Sequence, residues 1–107
     1  MNISDKLEDV KEKYKIMLLN SNISIYKIIT YYVGDLKTCM VFVFFDSEKT
    51  LNSFSEQKLK ELENIFINLL QKEALMPAII DNISGFYFDS DENVQKKYNG
   101  NYFYATL

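Results

Sequence analysis

The stretch from Ile23 to Phe45, ISIYKIITYYVGDLKTCMVFVFF, decides the fold. Two runs rich in β-branched and aromatic residues, Ile23 to Val33 and Leu36 to Phe45, flank Gly34-Asp35. Such runs read as strands, because these side chains suit a pleated, half-buried surface. Glycine at the first central position of a two-residue loop suits a type II′ turn, so the spacing predicts an antiparallel hairpin. In that register Val33 faces Leu36, Ile29 faces Met40 and Ile25 faces Phe44 on one side of the hairpin. On the other side Tyr32 faces Lys37, Thr30 faces Cys39, Ile28 faces Val41 and Tyr26 faces Val43. Both sides are partly apolar, yet one is enough to cover a layer of helices.

Helical periodicity lies on either side of this hairpin. Before it, Ile3, Leu7, Val10, Tyr14 and Met17 recur at steps of four and three, which predicts an amphipathic helix ending near Asn20. Asn2 or Ser4 can cap it. After it, Asp46 to Thr50 reads as a polar connection. A second long helix follows, opened by Ser53 with Glu56 as a capping box, or by Ser55 with Phe54 and Leu59 as a hydrophobic staple. Leu59, Leu62, Phe66 and Leu69 form its buried stripe, widened by Ile65 and Leu70, and Pro77 forces an end. Ala78 to Asp89 reads as a strand interrupted near Asp81-Asn82 and Gly85. Ser90 to Tyr98 reads as a short helix stopped by Asn99-Gly100. The alternation of Tyr102, Tyr104 and Thr106 against Phe103, Ala105 and Leu107 predicts a last strand over residues 101–107. The expectation is one α+β domain over residues 1–107, with a mainly antiparallel sheet of about four strands and both long helices on one face.

The residue inventory restricts the chemistry. The chain has 107 residues, near the commonest size for one domain. It has no His, no Arg and no Trp, and its only thiol is Cys39. Without imidazole there is no Ser-His-Asp or Cys-His nucleophilic site and no His-ligated metal. A lone cysteine closes no intramolecular disulfide. All 12 positive charges are Lys, so no guanidinium fork grips a phosphate, and the 15 acidic residues bring the net charge to -3. A nucleic-acid partner would call for a basic face, so none is expected. The charge-dense N-terminus does not read as a signal peptide, and no apolar run approaches the about 20 residues that span a bilayer. The sequence therefore implies a cytoplasmic protein that is not an enzyme, needs no cofactor or metal and has no membrane partner. Abundant Ile, Lys, Asn, Tyr and Phe without Arg or Trp also matches AT-rich coding, which leaves the consequence for ligand binding unchanged.

Among candidate sites, Cys39 lies mid-strand with no group nearby in sequence to activate it, and reads as a small buried hydrophobe. Asp89, Asp91 and Asn93 copy the opening of an EF-hand loop. Val94 stands where that loop requires Gly, however, and Gly100 where it requires the bidentate Glu, so these residues read as a helix N-terminus instead. Two features remain. Tyr residues, notably Tyr26, Tyr31, Tyr32, Tyr98, Tyr102 and Tyr104, exceed what a small core needs, and Tyr is favoured where proteins meet. Asp46, Glu48, Asp81, Asp89, Asp91 and Glu92 offer a negative rim that would steer a basic partner toward those anchors.

The stretch from Asp91 to Tyr104, DENVQKKYNGNYFY, resembles the tails of small immunity proteins found beside bacterial polymorphic toxins. The resemblance brings no functional residue with it. What it implies is an inhibitor that neutralises a cognate basic, nuclease-type toxin by covering its active or substrate surface. The partner-binding residues would then be Asp46, Glu48, Asp89, Asp91, Glu92, Tyr31, Tyr32, Tyr98, Tyr102 and Tyr104. Two other readings fit the same inventory: a phage-encoded inhibitor of host defence, and a homo-oligomeric structural or sensor domain, such as a homodimer, whose second sheet face packs on its own copy.

Overall fold

The computed structural model describes residues 2–107. Helix α1 (Ile3–Leu19) starts at Asn2, whose side-chain oxygen accepts the Asp5 backbone N–H at 2.9 Å. Its buried stripe is Leu7, Val10, Tyr14 and Leu18, so the stripe ends on Leu18 and leaves Met17 exposed. The hairpin comprises β1 (Lys27–Val33) and β2 (Thr38–Phe45), which pair antiparallel.

The turn between these strands differs from the expected two-residue form. A 3-10 turn spans Gly34–Leu36, and Lys37 closes it in the left-handed region at φ 51°. The loop is thus two residues longer, and Val33 pairs with Thr38 instead of Leu36. Because side chains alternate with period two, a two-residue slip changes partners without exchanging faces. Ile28, Val41 and Val43 still share one face, and Ile29, Phe42 and Phe44 the other.

After β2 come a short helix α2 (Glu48–Asn52), capped by Ser47 where a loop was expected, and the long helix α3 (Glu56–Lys72). Of the two candidate caps for α3, Ser55 is used, its hydroxyl accepting the Lys58 N–H at 3.0 Å. Ser53 instead ends α2 in helical geometry, with its hydroxyl donated to the Thr50 carbonyl. Helix α3 stops five residues before Pro77 in a left-handed cap at Ala74, φ 61°. The Leu75 N–H reaches the Leu70 carbonyl at 2.8 Å and the Ala74 N–H reaches that of Gln71 at 3.1 Å, the paired bonds of a Schellman motif.

Strand β3 (Asn82–Ser90) then pairs parallel with β2, giving a mixed three-stranded sheet in the order β1-β2-β3. This corrects the expectation of a mainly antiparallel, four-stranded sheet. The physical reason is the crossover. Seventeen residues of α3 rise about 25 Å, close to the about 26 Å length of an eight-residue strand, so the helix returns the chain to the start of β2. A strand entered from there runs parallel. The register slips at the residues opposite Cys39 and Met40, leaving Ser84 as a bulge beside Gly85.

The second correction concerns the C-terminus. Helix α4 (Asp91–Tyr98) ends on Asn99 at φ 52° and Gly100 at φ 78°. The following residues form a short helix, α5 (Tyr102–Ala105), not a fourth strand. Two successive left-handed residues turn the chain over the second sheet face. There Tyr102 and Ala105, three apart, both pack against the cluster of Phe42, Phe44 and Val94. That contact selects a helical period over the two-residue period that the alternating aromatics suggest.

Both long helices pack on the first face of the sheet, where Tyr14, Phe66, Cys39, Val43 and Phe45 are all fully buried. The Tyr14 ring meets Phe66 edge-on at 5.0 Å, and its hydroxyl donates to the Leu62 carbonyl at 2.9 Å, so the deepest phenol of the core is satisfied. The second face is covered only by α4 and α5, and only over part of its length.

Candidate interaction surface

The acidic residues gather at the end where β2 and β3 leave the sheet, since Phe44 pairs with Asp89 and Phe45 with Ser90. Ser90 is fully buried and caps α4, its hydroxyl accepting the Asn93 N–H at 3.0 Å. Asp89 braces that cap: Oδ1 accepts the Ser90 N–H at 2.8 Å and the Asn93 amide at 3.0 Å, while Oδ2 accepts the same amide at 3.1 Å. Asp91 and Glu92 occupy the first turn of α4, where the positive end of the helix dipole favours carboxylates.

Glu92 ties two elements together. Oε1 accepts the Glu48 backbone N–H at 2.9 Å, its own N–H donates to the Asp46 carbonyl at 3.2 Å, and Oε2 pairs with Lys96 at 2.7 Å. The Lys96 ammonium first, and the Glu48 N–H second, hold the Glu92 carboxyl below the usual range, while Lys96 is raised in return. Asp91 accepts the Tyr102 hydroxyl and the Gln95 amide. Burial first, and that bond second, push the Tyr102 phenol well above its ordinary value. Lys27 sits 4.6 Å from the centre of the Tyr102 ring, which also meets Phe44 edge-on at 4.8 Å. Thus Asp89, Asp91, Glu92 and Tyr102 spend side-chain hydrogen bonds within the chain at this end, whereas Asp46 and Glu48 are joined to Glu92 through their backbone groups. Asp46 also lines a separate polar hollow with Thr50, Ser53 and Lys58.

The remaining residues divide between faces. Asp81 lies at the far end of β3, where its N–H meets the Lys37 carbonyl at 2.8 Å, so it does not join the acidic group. Tyr32 packs on the helical face and donates to the Ile79 carbonyl at 3.2 Å. Tyr98 packs against the Phe42, Phe44 and Val94 cluster. Tyr31 lies on the second face, edge-on to Phe42 at 6.0 Å, with its hydroxyl bonded to that of Thr106 at 2.7 Å. Tyr104 lies on α5, next to Phe103, and is 57% exposed.

The open part of the second face also holds residues that the sequence reading passed over. Tyr87 stacks on Phe42 at 5.0 Å and is 48% exposed; on the neighbouring helix α5, Phe103 is 63% exposed. Between the sheet and the end of α5 is a hollow of about 380 Å³ walled by Met40, Phe42, Tyr87, Asp89, Ala105 and Leu107. The signal for Tyr87 was present: Gly85, Tyr87 and Asp89 alternate with Phe86 and Phe88, so one strand carries a polar-aromatic face and a core face.

Cys39 is fully buried on the helical face, and burial pushes its thiol up to about 11, away from nucleophilic chemistry. Among the described residues no three Cys, Asp or Glu side chains are grouped to hold a metal ion, and no helix is long and apolar enough to cross a membrane. No protein-family model, curated protein or solved structure matches the chain.

Proposed function

We propose that this chain is a non-catalytic, protein-binding inhibitor of the immunity or antitoxin kind, which neutralises a basic toxin by occupying its active or substrate surface. The observation that carries this reading is the half-covered second sheet face. Tyr31 and Tyr87 are exposed on it, Tyr87 as a wall of the hollow, and Phe103 and Tyr104 are exposed on the α5 helix that covers the neighbouring part. Aromatic anchors around a concavity are the composition of interface hot spots. The carboxylates at the adjoining end supply a field that attracts a basic partner over distance, even where their local bonds are satisfied. No step of bond making enters the mechanism: the inhibitor excludes substrate by its bulk.

The test is co-purification from the native cells, identification of the bound protein, and assay of that protein's activity before and after dissociation. A stoichiometric complex whose release restores a toxic activity, and whose association slows with added salt, is the expected result. A captured host-defence component would shift the reading to an anti-defence inhibitor. A partnerless chain that sediments as a dimer at micromolar concentration, with Tyr87 protected, would refute the reading in favour of a homo-oligomeric structural or sensor role.

A further inference from the structure

The hollow on the second sheet face has a composition that selects its occupant. Its walls are mainly apolar (Met40, Phe42, Tyr87, Ala105 and Leu107), Thr106 adds a polar group, and its one charged side chain is Asp89. An apolar hollow with a single carboxylate at its edge suits a group that is apolar along its length and cationic at its tip. That describes the side chain of Arg or Lys, whose methylene stem lies on apolar surface while the head seeks charge. A volume of about 380 Å³ sits at the small end of ligand sites, which run from about 300 to 1,000 Å³. It has room for a long side chain such as that of Arg.

The carboxylate also has capacity to spare. Asp89 Oδ1 accepts two hydrogen bonds, but Oδ2 accepts only one. A carboxylate oxygen has two lone pairs, so Oδ2 can take one more donor, end-on. The exposed ring of Tyr87 flanks the same space, and a guanidinium lying over it would gain cation–π attraction together with the charge pair. The chain already holds one cation over a tyrosine of this face, the Lys27 ammonium 4.6 Å from the centre of the Tyr102 ring.

We infer that this hollow receives a basic side chain, Arg in preference to Lys, projecting from the partner protein, with its head on Asp89, its plane over Tyr87 and its stem against Met40 and Leu107. The inference rests on the protein-binding reading above and names the contact at its centre.

The first arm of the test needs no partner. N-acetyl-arginine amide and N-acetyl-norleucine amide are titrated into the full chain while backbone amide resonances are followed. The arginine compound should give saturable shifts at Tyr87 to Asp89 and at Ala105 to Leu107, at least fivefold tighter than the norleucine compound. Asp89→Asn, which keeps one acceptor oxygen for the α4 cap, should bring the two compounds level. Tyr87→Leu keeps the Asp89 braces intact and should weaken arginine severalfold, so the test survives if Asp89→Asn perturbs folding. Equal binding of the two compounds, or an arginine affinity untouched by both variants, overturns the inference. The second arm uses the co-purified partner. Affinity at least tenfold weaker for both variants supports the inference. Unchanged affinity for both, with a loss on Tyr104→Ala, overturns the inference and leaves the protein-binding reading standing. Absence of any complex with the wild-type chain overturns that reading itself, so the two failures are told apart.

Discussion

Replacing Gly85 by Ala separates the stability of the second sheet face from its shape. A Cβ at Gly85 would lie 2.5 Å from Cε2, 2.6 Å from the hydroxyl oxygen and 2.8 Å from Cζ of Tyr87. These are overlaps that one of the two groups must relieve. The backbone raises no objection to alanine, because Gly100 is the glycine with positive φ. The clashing atoms are the far end of a half-exposed side chain, so the Tyr87 ring swings outward and leaves Phe42. Losing that stack costs about 0.5–1.5 kcal/mol. Removing glycine's freedom from the unfolded chain returns about 0.4–1 kcal/mol. The two nearly cancel, so the urea midpoint should move by less than the equivalent of about 1 kcal/mol. The hollow loses its aromatic wall nonetheless, and arginine-amide binding should fall severalfold. The measurements are urea unfolding, contacts between Tyr87 and Phe42 protons by NMR, and the titration described above. A loss above about 2 kcal/mol would show that the ring cannot leave Phe42. A retained Tyr87–Phe42 contact with a small gain in stability would show that the ring does not lie over Gly85.

Three further outcomes follow from the structure. Ser90→Ala removes the buried cap of α4 and should destabilise the chain by about 1–2 kcal/mol in urea unfolding; a change under a few tenths would mean that the Asp89 braces suffice. Ala74→Gly relieves the left-handed residue of the α3 cap, where alanine's steric cost of about 1–2 kcal/mol exceeds glycine's added unfolded-state freedom, so a higher melting temperature is expected and a lower one refutes the motif. Burial raises the Cys39 thiol from 9.0 to about 11 and raises the Tyr14 phenol further still, so both stay protonated in the native state after the unfolded chain has begun to ionise. Their contribution is complete below the unfolded values and is lost as pH rises through the folded ones; on the order of 2 kcal/mol from Cys39 should be gone by pH 11, and a urea midpoint flat from pH 8 to 10.5 would refute the burial of both groups.

Local chemistry made most elements legible. The 3.6-residue stripes of α1 and α3, the cap at Ser90 and the Asn99-Gly100 stop each depend on residues within a turn of one another, so a single sequence contains the whole cause. The elements misjudged have causes outside the local window. Whether β3 runs parallel or antiparallel depends on the length of α3 relative to β2, not on any residue of β3. The hairpin loop grew by two residues because Lys37 accepts a left-handed conformation and its carbonyl then receives the Asp81 N–H. The last seven residues alternate like a strand, but their geometry is set by the apolar surface of Phe42 and Phe44 that the chain meets after Gly100. Periodicity reports what a segment can bury, and the partner surface decides the period that is used.

The same distinction governs the interaction surface. Proximity of Asp46, Glu48, Asp89, Asp91 and Glu92 was legible because these residues leave adjacent strand ends and open adjacent helices. Their internal bonding was not, since Glu92 reaches the Glu48 N–H across 44 positions of sequence. Tyr31 and Tyr32 show the complementary limit: neighbours in sequence, they stand on opposite faces, one bonded to Thr106 on the second face and one to Ile79 on the helical side. The second face carries side chains of core character, and α4 and α5 cover it only as far as Tyr102 and Ala105 reach. Beyond them Tyr31 and Tyr87 are exposed on a sheet whose other side two helices were needed to bury, and Phe103 and Tyr104 add exposed aromatic area on α5 itself. Apolar faces left half open at the cost of exposed aromatic area are interaction sites far more often than idle surface. On the reading proposed above, the carboxylate of Asp89 beside the hollow would give the missing cover a positive sign.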